Sequence, residues 1–147
     1  MKRILIALAL CLVMVGLMAA PVFAATQTAS LYGWRWSEVE GSARFITSQG
    51  DSALVVCINF TDQLPKTKYA VYLAQYGNRE WLIGYLTTDR YGNWGVRGDQ
   101  DQFEKALTAG EYEDLSLQLI PLYKNRTFMP GIYWIYSEEV TVIIPNS

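Results

Sequence analysis

The residues best suited to recognition chemistry in this chain are aromatic. The stretch LYGWRW places Tyr32, Trp34 and Trp36 at i, i+2 and i+4, which on a strand puts three rings on one face. A second aromatic run, GIYWIY, carries Trp134, and Trp94 lies between Gly92-Asn93 and Gly95 in the turn-rich stretch TDRYGNWGVRGD, Thr88 to Asp99. Exposed coplanar rings stack on sugar faces, so Trp34, Trp36 and Trp94 are candidates for a carbohydrate platform. Tyr91 and Arg97 of the same turn complete the candidate contact surface. The competing role is core filling, because each such ring buries about 150–250 Å². Core filling is the expected fate of most of them, and Trp94 is the ring expected to stand out from a hairpin.

Other chemistries lose their reagents. The chain has no histidine, which removes the usual base of Ser and Cys hydrolases and the commonest zinc and copper ligand. Carboxylates cluster at Asp99 and Asp101, at Glu111, Glu113 and Asp114, and at Glu138 and Glu139. Nearness in sequence does not set two carboxylates across a cleft as glycoside hydrolysis requires. No EF-hand pattern is present either. Solvated strand ends and a helix cap account for these residues, so no catalytic residue, metal or cofactor is expected. Arg97-Gly98-Asp99 matches an adhesion tripeptide, but Gly at a strand end and Asp before a helix explain it as punctuation. Asn59-Phe60-Thr61 and Asn125-Arg126-Thr127 match glycosylation acceptors, with Asn59 on an expected strand.

The N-terminus reads as an export signal. Lys2 and Arg3 precede an uncharged apolar run from Ile4, and Val22-Phe23-Ala24 supplies the residues a signal peptidase reads. Cleavage after Ala24 is expected, with no stable membrane insertion afterwards; a retained anchor is the rival reading, since the run is long enough to span a bilayer. Removal of 1–24 from the 147 residues leaves 123, residues 25–147, a length for one domain. Without Lys2 and Arg3 the balance is 10 basic against 14 acidic residues, a net charge near −4, which argues against a nucleic-acid partner. Cys57 is then alone, within the apolar run SALVVCINF, and reads as a buried thiol.

The mature chain alternates with period two. GSARFITS, KYAVYLAQY, EWLIGYLTTD, EDLSLQLIP and EEVTVIIP each alternate apolar with polar residues, and SALVVCINF is apolar on both faces as a central strand would be. With LYGWRW and GIYWIY this makes about eight strands. Tyr76-Gly77-Asn78 and Tyr91-Gly92-Asn93 flank EWLIGYLTTD as hairpin turns, which predicts a three-stranded meander. One short helix is expected in DQFEKALTAG: Asp101 and Glu104 have capping-box spacing, Phe103, Ala106 and Leu107 share a helical face, and Gly110 supplies a stop.

The stretch LPKTKYAVYL, Leu64 to Leu73, resembles the corner of fibronectin type III and related immunoglobulin-like sandwiches. The resemblance covers about ten residues and implies that the Tyr69 hydroxyl turns back to the backbone between sheets, with Pro65 and Thr67 shaping the turn. About five strands follow the corner here, more than in fibronectin modules. Leu64 to Val96 also resembles extracytoplasmic β-domains of anti-sigma-factor type. Those proteins place a cytoplasmic domain and a membrane span before the β-domain, so their function is not expected.

The expectation is therefore an all-β, immunoglobulin-like β-sandwich of Greek-key or meander type, with about seven to nine strands and one short helix. It would be secreted, periplasmic or at the cell surface. The expected role is non-catalytic, binding a protein or glycan partner or serving a structural purpose at the envelope. Carbohydrate binding by exposed tryptophans is the alternative.

Overall fold

A computed structural model describes residues 25–48, 53–95, 102–124 and 127–146. Among these, nine strands form one antiparallel system: β1 (Ala25–Tyr32), β2 (Glu38–Thr47), β3 (Ala53–Phe60), β4 (Lys68–Gln75), β5 (Asn78–Thr87), β6 (Gln102–Ala106), β7 (Gly110–Pro121), β8 (Ile135–Ser137) and β9 (Val140–Ile144). The hydrogen-bonded order is β5-β4-β7-β8-β1-β2-β3-β6, with β9 on the first half of β7. The architecture is all-β, as the period-two pattern predicts, and the sheet rolls up until it is nearly a barrel.

Alternation explains how one core forms. Leu115, Leu117 and Leu119 of β7 meet Tyr69, Val71 and Leu73 of β4 and Phe45, Val56 and Ile58 of β2 and β3 in a single apolar cluster. On β4, Val71 pairs Leu119 and Leu73 pairs Leu117, so both strands send the same phase inward. Cys57 is buried, and β3 pairs on both sides, with β2 and β6.

Four expected features differ. DQFEKALTAG forms no helix: residues 102–106 are strand β6, pairing with β3 from Ala53–Ala106 to Cys57–Gln102. The local cap signal yields to the open edge of β3, whose backbone groups need partners, and to a vacancy for Phe103. That vacancy is Gly84 of β5, where a Cβ would come within 2.7 Å of the Phe103 ring. The contact brings β5 and β6, the two ends of the strand path, against each other. LYGWRW is not a continuous strand, since β1 stops at Tyr32 and Trp34–Trp36 make a single 3-10 turn with Arg35 left-handed at φ 55°. Gly131–Tyr133 likewise forms a 3-10 turn before the short β8. The meander also fails beyond β5. After Gly92 the chain crosses to β3, where Trp94 and Phe60 exchange backbone hydrogen bonds of 2.9 and 3.0 Å.

The corner at Tyr69 is held by Thr67 and Thr88, and among the described residues it lacks the hydroxyl-to-backbone hydrogen bond that the resemblance implies for Tyr69. Thr67 Oγ1 donates to Pro65 O at 2.9 Å, and Thr88 Oγ1 donates to Leu64 O at 2.6 Å. The Tyr69 hydroxyl faces the backbone of Leu64 but falls short of hydrogen-bond geometry with any described residue. Burial pushes its pKa up to about 12, only partly offset by that backbone.

Candidate binding face

Of the candidate contact residues singled out in sequence, Trp94, Tyr91 and Trp34 have described side chains. Trp94 packs against the core, and its indole N–H is buried without a partner among the described residues. Gly92 and Gly95, the neighbours that suggest an exposed Trp94, are close-approach points. A Cβ on Gly92, at φ +83°, would meet Gln63 O at 2.0 Å, and one on Gly95 would meet Ile58 O at 2.4 Å. Asp89 organises the turn by accepting from the Tyr91 and Asn93 N–H groups at 2.8 and 2.9 Å. Tyr91 is exposed beneath the Arg90 guanidinium, 4.6 Å from its centroid. Trp34 is 50 % exposed in its 3-10 turn and lines a shallow hollow of about 240 Å³ with Tyr32, Gly33, Arg35 and Tyr136. Arg97 and the whole Arg97-Gly98-Asp99 tripeptide lie outside the described residues, as does Asp101; the Trp36 backbone is described but its side chain is not.

The structure instead assembles rings on the outer face of β4, β7 and β8. Tyr72 on β4 points away from the core, opposite in phase to Val71 and Leu73. A segment folded back after β7 supplies Phe128 and Trp134. Leu122 bridges Phe128, Met129 N–H donates to Pro121 O at 2.9 Å, and Trp134 Nε1 donates to Met129 O at 2.8 Å. The rings then form a chain. Tyr72 and Phe128 meet edge to face at 6.3 Å, Phe128 and Trp134 at 6.5 Å, Trp134 and Tyr136 tilt at 6.3 Å, and Tyr136 stacks on Tyr32 at 5.6 Å. Ala70 and Ala74, small residues on the same face of β4, are buried.

Arg79 completes this cluster. Its guanidinium carbon lies 5.6, 5.2 and 5.3 Å from the centroids of Tyr72, Phe128 and Trp134, within cation–π range of all three. No carboxylate among the described residues forms an ion pair with it. By simple alternation Arg79 would share a face with Trp81, Ile83 and Tyr85. Two bulges in the β4–β5 ladder split this set: Val71 pairs Gly84 but Tyr72 pairs Leu82, which takes Trp81 off the face of Tyr85, and Leu73 pairs Trp81 but Ala74 pairs Arg79, which returns Arg79 to it. Trp81 therefore turns inward onto Tyr112, while Tyr85 and Arg79 turn outward. This is the signal that a period-two reading misses.

Beside the rings runs a trough. Lys68, Ala70, Tyr72, Tyr85, Leu122 and Phe128 enclose about 170 Å³, and the Lys68 ammonium lies 4.4 Å above the Tyr85 ring, itself 49 % exposed. The trough continues, through Lys68 and Leu122, into an open groove of about 540 Å³ bordered by Lys66, Tyr123, Lys124 and Met129. At the other end, burial pushes the Tyr136 hydroxyl above its ordinary range and the Arg79 charge pulls it back. Burial, with Glu139, Tyr136 and Glu138 after it, raises that of Tyr32. Both hydroxyls stay protonated at neutral pH and can donate as well as accept.

Among the described residues no three His, Cys, Asp or Glu side chains converge to hold a metal ion. No described helix is long and apolar enough to cross a membrane. The face thus offers flat rings, phenolic hydroxyls and cations on a rigid sheet, which suits stacking and charge-assisted hydrogen bonding. No protein-family model matches the chain, and no curated protein or solved structure is significantly similar to it.

Proposed function

We propose that this chain is an exported, non-catalytic binding module whose contact surface is the outer face built from Tyr72, Arg79, Tyr85, Phe128 and Trp134. The observation that carries this reading is Arg79, held over three rings without an acidic partner among the described residues. A guanidinium so placed has its flat side occupied by rings while its N–H groups are available in a fixed orientation. Ligand sites combine such apolar surface with a few oriented polar groups. The role at the envelope rests on the signal-like residues 1–24, and the absence of histidine removes the usual base of Ser and Cys hydrolases.

The test is an array of glycans and envelope polymers probed with the exported protein. Binding lost in Arg79→Gln and Phe128→Ala, and retained in Glu104→Gln on β6, is the expected result. A ligand held equally by all three variants would move the surface elsewhere, and turnover of a bound ligand would make the protein an enzyme.

A further inference from the structure

We infer that the trough takes an anionic polysaccharide, a chain of pyranose rings bearing carboxylates; this rests on the binding-face reading above. The argument begins with charge. The mature sequence is net acidic, with 14 carboxylates against 10 cations, so a surface chosen at random would mix both signs. The two grooves, which share Lys68 and Leu122, contain Lys66, Lys68 and Lys124 among the residues that line them, and among the described residues neither an aspartate nor a glutamate. Arg79 extends the same sign past Tyr72 and Phe128. A trough of one sign on a protein of the other concentrates oppositely charged ligands.

The rings narrow the class. Tyr85 and Phe128, both exposed, line the first groove, and Tyr123, also exposed, lines the second. Cations and rings therefore lie side by side: Lys66, Lys124 and Tyr123 line one groove, Lys68 lines both, Tyr85, Tyr72 and Phe128 line the other, and Arg79 lies against Tyr72 and Phe128. A small carboxylate would need only one cation, and a neutral sugar none. A polymer whose repeating unit has both an apolar ring face and a carboxylate uses both kinds of group. Arginine suits the carboxylate because its planar fork donates to both oxygens, and the lysines act as point charges. Single-stranded nucleic acid pairs rings with cations in the same way, but its binders carry a basic excess that this chain lacks.

The probe is a polygalacturonate hexasaccharide titrated calorimetrically into the exported protein, beside cellohexaose, polyglutamate, single-stranded DNA and anionic lipid vesicles. Polygalacturonate should bind in preference to all four, and more weakly as salt rises. Lys66→Gln/Lys68→Gln/Lys124→Gln should weaken it about tenfold, as expected for three exposed charge pairs. Tyr85→Ala should weaken it several-fold, and these exposed positions should leave the melting temperature within a few degrees. Equal binding of cellohexaose, lost in Phe128→Ala, would overturn the anionic class and leave the binding face standing. Equal binding of polyglutamate, or indifference to Tyr85→Ala, would overturn the role of the rings. Preference for DNA or vesicles would replace the ligand class, and no binding of any probe would overturn the inference and count against the face.

Discussion

The meeting of β5 and β6 at Gly84 and Phe103 is open to a quantitative test. Phe103 is buried to within 7 % of full coverage, and its truncation to alanine should cost about 3 kcal/mol, the low end for a buried phenylalanine because one edge reaches solvent. Gly84→Ala would set a methyl 2.7 and 2.8 Å from two carbons of the Phe103 ring. Something must shift, and overpacking of this kind costs about 1–3 kcal/mol. The two changes should not add. With Phe103 gone, the Gly84→Ala methyl enters vacated space, so the double variant should be little worse than Phe103→Ala alone. That is a favourable coupling of about 1–3 kcal/mol, the overpacking cost itself. Urea denaturation of the four proteins of the cycle at pH 7 measures it, given unchanged slopes. Additivity within about 0.5 kcal/mol would refute the contact and, with it, the near-closure of the sheet. A helix over 101–110 would also fail to give this coupling.

Other expectations follow from individual side chains. The Tyr69 hydroxyl has its pKa raised from 10.0 to about 12, so above pH 10 the unfolded chain ionises while the folded one does not. Stability should therefore be intact below pH 10 and fall by about 2–3 kcal/mol as pH rises to 12; Tyr69→Phe should abolish that loss and cost little at pH 7, as paired urea titrations at pH 8 and 11 would show. Trp94→Phe removes a buried N–H that has no partner among the described residues and should be neutral or stabilising by up to about 1 kcal/mol, whereas Trp94→Ala should cost about 3 kcal/mol in the same assay. Arg79→Gln should lower stability by no more than about 1 kcal/mol, so any larger effect on ligand binding reports recognition rather than folding. The exported protein should have a mass beginning at Ala25, and a full-length mass in the membrane fraction would indicate a retained anchor.

Much of the architecture was legible because burial on one side of a strand writes itself as alternation. KYAVYLAQY, SALVVCINF and EDLSLQLIP occupy strands β4, β3 and β7, and their inward residues are the ones that alternation selects. Where the reading went astray, a local signal competed with a distant one. Asp101 and Glu104 have capping-box spacing, but the edge of β3 and the missing side chain of Gly84 draw 102–106 into a strand. LYGWRW alternates as a strand would, yet Arg35 takes a left-handed conformation that no periodicity reveals. The binding face was the least legible part. Its members Tyr72, Arg79, Phe128 and Trp134 come from two adjacent strands and a fold-back more than 40 residues later, and two bulges take Trp81, but not Arg79, off the face of Tyr85. Trp94 is the opposite case. Its glycine neighbours suggest exposure, but they are glycines because the backbone of other segments passes within van der Waals distance.

The strand order has a consequence for how the molecule comes into being. The first strand lies between β2 and β8, and β4 lies between β5 and β7, so early segments wait on partners synthesised last. Leu31 and Tyr32 pair with Ser137 and Tyr136, across more than 100 residues. Such non-local closure makes acquisition of structure slow and cooperative. A chain threaded through a translocation pore from its N-terminus cannot complete this sheet while its tail is still inside. If the chain is exported, as proposed above, it would cross before this sheet is complete.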